Sequence, residues 1–213
     1  MIKRFVCLAN SKKEGGRCLA GIELDNKNKP KNEAGQPKWI RPICKTEHGE
    51  VPEYLVRHIE LLDVVEIDIT HPPEKKDFQS ENVFFQKRSI SVIEHFSAAE
   101  IAQLCSSEKL IFGNSGKTLS EQEISELTYS LVLIKTDKFK IRQSVVEGRY
   151  RVRLVFTYCS NEYDLPVTDV AFIIQSKANP GCLKDIHDLF LILSLGIKFN
   201  DLYYKLVAGI ITD

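Results

Sequence analysis

The chain reads as a mainly β protein made of two small barrels, divided by a helical connector, with a helix packed on the second. Three observations predict this. Short apolar runs with a period of two recur in both halves and are broken by Gly, Pro and Asn clusters. Two Ser-x-x-Glu capping boxes fall between the halves. A single run near the C-terminus has apolar residues at helical spacing. The expected boundaries are 1–95 for the first barrel, 96–128 for the connector, and 129–213 for the second barrel with a helix over 182–195.

In the first half, Lys3 to Ala9 is an apolar strand, Gly15-Gly16 a tight turn, and Arg17 to Leu24 a second strand. Residues 25–37, DNKNKPKNEAGQP, form a polar loop. KWIRPIC at 38–44 is a short strand whose Pro42 suggests a sheet edge or bulge. Residues 45–60 are irregular or weakly helical, and LLDVVEIDI at 61–69 alternates as a strand. THPPEKKD breaks it, and ENVFFQ is a further short strand. Ser97–Glu100 and Ser120–Glu123 are the two capping boxes, with the loop FGNSGKT between them.

In the second half, SLVLIKT leads into a basic hairpin, and EYDLPVTDVAF is a strand broken near Pro166. Asn179-Pro180-Gly181 opens the predicted helix LKDIHDLFLILSLG, with Gly196 as its C-cap. YYKLVAGIIT is a closing strand, and no internal sequence repeat links the halves.

The 213 residues carry 29 basic and 29 acidic side chains, so the formal net charge is zero. A general nucleic-acid coat is thereby excluded, and polyanion binding requires local segregation of charge. The six cysteines form no CxxC pair and are expected as reduced thiols in a cytoplasmic protein. The start, MIKRFVCLANSKK, has too short an apolar run for a signal-peptide core, and no segment reaches the ~18 apolar residues of a membrane helix.

Charge segregation is clearest at 138–153. Lys138, Lys140 and Arg142 alternate with Phe139 and Ile141, and Arg149, Arg151 and Arg153 alternate with Tyr150, Val152 and Leu154. Burying the apolar residues of both strands in one core places all six cations on one solvent face. Like charges opposed across strands are unfavourable and point to an anionic partner, most commonly a phosphate backbone. The alternative is a solvated face screened by nearby carboxylates. A second candidate is Trp39 with Arg41, two apart on one strand face, where an aromatic plane beside a guanidinium suits a base and its phosphate. Arg17 adds to that surface, and the alternative is a core tryptophan.

Other motifs fall short of chemistry. GNSGKT lacks the first glycine of a phosphate loop, since position 111 is Ile, and reads as a connecting turn. The histidines, His48, His58, His71, His95 and His187, show no metal-ligand spacing. Cys182, His187 and Asp188 share one short helix in this reading, with no sign of a cleft. Asp63, Glu66 and Asp68 lack the ExK lysine of a metal-dependent nuclease, and Asp164 and Asp169 join them only if the fold brings them there. No catalytic residue, metal or cofactor is assigned.

Several segments together resemble the prokaryotic dual OB-containing domain family. They are FVCLANSKK with GRCLAGIE, WIRPIC, LLDVVEI leading to HPPE and ENV, then LIFGN, SLVLIK, YRVRLVF, YDLPVTD, and LSLGIKF with YYKLVAGII. The resemblance runs over nearly the whole chain. It implies two OB-type barrels and nucleic-acid recognition in a defence or conflict setting. Arg17, Trp39, Arg41, His71 and Lys205 fall inside the shared segments, and the resemblance alone assigns them no role. The expected function is non-catalytic binding of single-stranded or structured DNA or RNA. The rivals are an adaptor docking an acidic protein, and an enzyme acting on nucleic acid.

Overall fold

The computed structural model describes residues 1–71 and 78–212. It divides into two compact units, Met1–Leu104 and Cys105–Asp213. No described helix is long and apolar enough to cross a membrane.

In the first unit, β1 (Ile2–Lys13), β2 (Gly16–Leu24), the two-residue β3 (Asn32–Glu33) and β4 (Gln36–Pro37), and β5 (Trp39–Ile43) precede α1 (Glu53–Val56). β6 (Asp63–His71), β7 (Asn82–Phe85) and β8 (Ser91–His95) follow. β1 pairs β2, β2 pairs β5, β5 runs parallel to β7, β7 pairs β6, and β6 returns to β1. That ring is a closed five-stranded barrel with a helical turn between its third and fourth strands. It is the OB topology.

Inside it pack Phe5, Cys7, Leu19, Ile40, Val65 and Ile67, with Val56 of α1 buried in the same cluster. β1 and β2 are buried on both faces over much of their length, which is why they read as continuous apolar runs. Gly21 is required where β2 crosses β1, because a Cβ there would lie 1.8 Å from the Val6 carbonyl oxygen. The break expected at THPPEKKD lies largely outside the described residues.

The second unit repeats the plan. It holds β9 (Thr118–Leu119), α2 (Glu121–Ser125), β10 (Leu131–Thr136), β11 (Phe139–Val146), β12 (Arg149–Tyr158) and β13 (Asn161–Pro166). After these come α3 (Val170–Ala178), β14 (Leu189–Phe199) and β15 (Leu202–Thr212). β10 and β11 act as one bent first strand. β10 pairs β14, β11 pairs β12, and at the bend the Thr136 hydroxyl donates to the Thr157 carbonyl at 2.8 Å. β12 pairs β13, β14 pairs β15, and β13 reaches β15 by one parallel bridge, Val167 to Val207. The strand ring is the same as in the first unit, with its seam partly open and α3 between the third and fourth strands. This common topology is carried by no visible sequence repeat.

Three expectations are corrected. Residues 182–195 are not a helix: they are turns followed by the first half of β14. LFLILSL is buried on both faces of its strand, and a fully buried strand has no periodicity to separate it from a buried helix. The helix lies instead at 170–178, beginning in the last three residues of the stretch read as a strand and running beyond it, capped by Asp169, whose carboxylate accepts from the Phe172 amide at 3.1 Å. Residues 96–128 hold three-residue 3₁₀ turns at Ala98–Glu100, Ala102–Leu104 and Ile111–Gly113, besides α2, and the boundary between the units falls among them. The Ser120–Glu123 capping box forms, but Ser97 makes no side-chain cap.

Candidate nucleic-acid interface

The 138–153 segment is an antiparallel hairpin. Arg142 stands opposite Arg153, Lys140 opposite Val155, and Ser144 opposite Arg151. Its two-residue loop has positive φ at both Glu147 (52°) and Gly148 (73°), as a type I′ turn demands. Lys138 precedes β11 by one residue and keeps its register, its carbonyl accepting from the Thr157 amide at 2.9 Å. All six cations therefore lie on one face. Phe139, Ile141, Val152, Leu154 and Phe156 point the other way, the last three buried.

Asp164 organises part of this face. It stands opposite Val155 on β13 and so shares the face with the cations. Its carboxylate accepts from Arg153 Nε at 2.7 Å, and from Arg142 Nη1 and Lys117 Nζ at 3.3 Å each. Burial works against its ionisation, but the hydrogen bonds and charges of Arg153 and Lys117 outweigh that and hold its pKa below the usual carboxylate value. Among the described residues, Lys138, Lys140, Arg149 and Arg151 make no ion pair, and all four are exposed. The face is thus screened at one end and unneutralised at the loop.

In the OB plan, oligonucleotides lie across the second and third strands, between the first–second and fourth–fifth loops. β12 and β13 are those strands here, and Glu147-Gly148 is the first of those loops. The other is Asn200-Asp201, where both residues have positive φ (47° and 61°). Beside it, Phe199 is 64% exposed and meets Tyr204 edge-on, with ring centroids 6.2 Å apart. Sequence reasoning missed this aromatic because the expected helix left residues 197–202 without an assignment. The signal was present as Asn-Asp between two apolar runs, a hairpin turn.

The candidates of the first unit fare differently. Arg41 is 1% exposed, and its guanidinium pairs with the equally buried Glu81 carboxylate at 3.0 Å. It is not on a binding surface: the parallel pairing of β5 with β7 brings Glu81 and Asn82 over it. Trp39 is half-buried on β5, where it opposes the fully buried Ile22 of β2. Arg17 is bound to Glu53 at 2.6 Å, with its backbone bridged to Val51.

The carboxylates weighed for a nuclease are dispersed. Glu66 pairs with Arg4, Asp68 with the Met1 amine, and Asp169 caps α3. Asp63 accepts from the Glu60 amide. No group of three His, Cys, Asp or Glu able to hold a metal ion occurs among the described residues. Cys182 lies in a turn, and Asp188 pairs with Lys135 at 2.8 Å. All six cysteines are free thiols. GNSGKT is a loop fastened from below by Lys205, whose ammonium donates to Ile111 O at 2.6 Å and to Asn114 O and Oδ1 at 2.7 Å each.

A family described as the dual OB-containing domain matches residues 3–210. No curated protein matches the chain. A structure described as a murine DNA binding protein bound with double-stranded DNA aligns at 7% identity and a TM-score of 0.36, covering 100% of this chain and 96% of that one. The tetrameric p202 HIN2 aligns at 10% identity and a TM-score of 0.31, covering 100% and 92%. Likenesses this distant carry no functional argument.

Proposed function

The chain belongs to the dual OB-containing domain family, and on that premise we propose that it binds nucleic acid, without catalysis, through the basic face of its second barrel. One observation carries the reading: Lys138, Lys140, Arg149 and Arg151 stand exposed and without ion pairs on the first hairpin of an OB ring. Four unneutralised cations on one face hold a phosphate backbone in place, and the counterions it releases supply the driving force. Phe199, at the end of β14 beside the fourth–fifth loop, offers a plane for one unstacked base, which favours single-stranded or locally opened substrates over continuous duplex. The resemblance to a prokaryotic family motivates a role in cytoplasmic defence.

The test is fluorescence anisotropy with single-stranded and duplex DNA and RNA across a salt series. Four phosphate contacts on a single strand predict a slope of log K against log salt of roughly −3. Absence of binding at low salt to every one of these nucleic acids, or binding that ignores salt, overturns the proposal. A second reading, an acidic protein docked on the same unit, is favoured by the open edge of β11.

A further inference from the structure

β11 is the edge of the three-stranded sheet β11–β12–β13. Its register with β12 decides which of its backbone groups are free. The Thr157 amide donates to the Lys138 carbonyl, and with that parity Lys140, Arg142, Ser144 and Val146 turn their amides and carbonyls toward β12. Phe139, Ile141, Gln143 and Val145 turn theirs outward. Among the described residues, none of these four takes part in a backbone hydrogen bond beyond the ladders. A groove runs beside this edge, lined by Phe139, Lys140 and Ile141 on the strand and by Pro180, Gly181, Leu183 and Lys184 opposite. At the end of the edge, Val145 and Val146 are 69% and 41% exposed.

A free edge with exposed apolar residues is a template for another strand. The charges select which strand. A second copy of this chain would set Lys140 and Arg142 against their own kind, which is unfavourable. A strand added here places every other side chain on the face of Lys140 and Arg142, with Lys184 across the groove. The intervening side chains fall beside Phe139, Ile141 and Leu183. We infer that the free edge of β11 is a strand-addition site for an extended peptide in which acidic and apolar residues alternate. Main-chain bonds to Phe139, Ile141, Gln143 and Val145 supply affinity, and the Lys140–Arg142 row supplies selectivity.

The probe is a capped peptide of alternating Glu and Val, titrated into the full chain without nucleic acid and followed by amide hydrogen exchange. Binding should slow exchange at residues 139, 141, 143 and 145 at least ~10-fold and leave 140, 142 and 144 unchanged, because those are already paired to β12. In this register the Val amides face β11. N-methylation of the Val amides should weaken binding at least ~10-fold, while N-methylation of the Glu amides should leave it unaltered. Lys140→Glu, a change at an exposed position, should weaken the peptide about fivefold. The inference is overturned if the peptide shows no binding at concentrations on the order of 1 mM. It is equally overturned if the four outward amides stay unprotected, or if the N-methyl-Val peptide binds as the parent does. Each of these results leaves the nucleic-acid proposal standing, since no nucleic acid is present.

Discussion

The ammonium of Lys205, fully buried on β15, is held by both oxygens of Asn114, the backbone carbonyl and the side-chain Oδ1, at 2.7 Å each. The Ile111 carbonyl takes its third proton, and the ring of Tyr163 lies 5.4 Å away. Asn114 in turn donates to the Glu123 carboxylate at 2.7 Å and to the Thr118 carbonyl at 3.1 Å. The loop so fastened includes Phe112, a buried aromatic at φ 51°, a conformation costing on the order of 1–3 kcal/mol that surrounding contacts must hold. The lysine of the second barrel is therefore a structural clamp, and the glycine-containing loop resembling a phosphate cradle is its target.

Replacing Lys205 by Met should destabilise the second unit by roughly 3 kcal/mol, because one buried and two partly buried acceptors lose their donor while the volume is kept. Burial pushes the Lys205 pKa down to about 8 from 10.5. A folded value below the unfolded one means a stability component that is full above about pH 10.5 and lost as pH falls through about 8. Thermal melts of the parent between these pH values should show that rise, and those of Lys205→Met should lack it.

Glu81→Gln should cost about 3–5 kcal/mol by leaving the Arg41 guanidinium buried without its anion. Chemical denaturation reads the loss. Variants that still fold should bind nucleic acid with an unchanged salt slope, since Arg41 does not reach the surface.

Arg149→Ala with Arg151→Ala should reduce the single-strand salt slope by about 0.7 per lost contact. Arg153→Ala should do less, because that guanidinium is already committed to Asp164. Asp164→Asn should act in the opposite sense: it frees Lys117, Arg142 and Arg153, strengthens binding severalfold at low salt and steepens the slope. Anisotropy titrations at matched salt separate these outcomes.

Phe199→Ala should weaken single-strand binding by about 1–3 kcal/mol with little change in salt slope, leave duplex binding nearly intact, and leave the melting temperature unmoved. Trp39→Ala should show the reverse, a loss of stability with little specific loss of binding, because Trp39 is half-buried against β2.

The basic hairpin was legible because its information is local. A period of two fixes side-chain parity, Glu-Gly supplies the turn, and one buried face leaves one register in which Arg142 meets Arg153. The Ser120 cap was legible for the same reason, since both its partners lie within four residues. What tertiary structure alone decided was the state of groups whose partners are distant in the chain. Arg41 is a buried ion-pair member because Glu81, forty residues on, arrives by a parallel strand pairing. Lys205 is a clamp because a loop more than ninety residues earlier folds under it. LFLILSL is a strand because neighbours cover it on both sides, a condition that leaves no periodicity in its own residues. Alternation along the chain records which face meets water. It does not record which charge a buried cation will meet, because that partner is chosen by closure of the barrel.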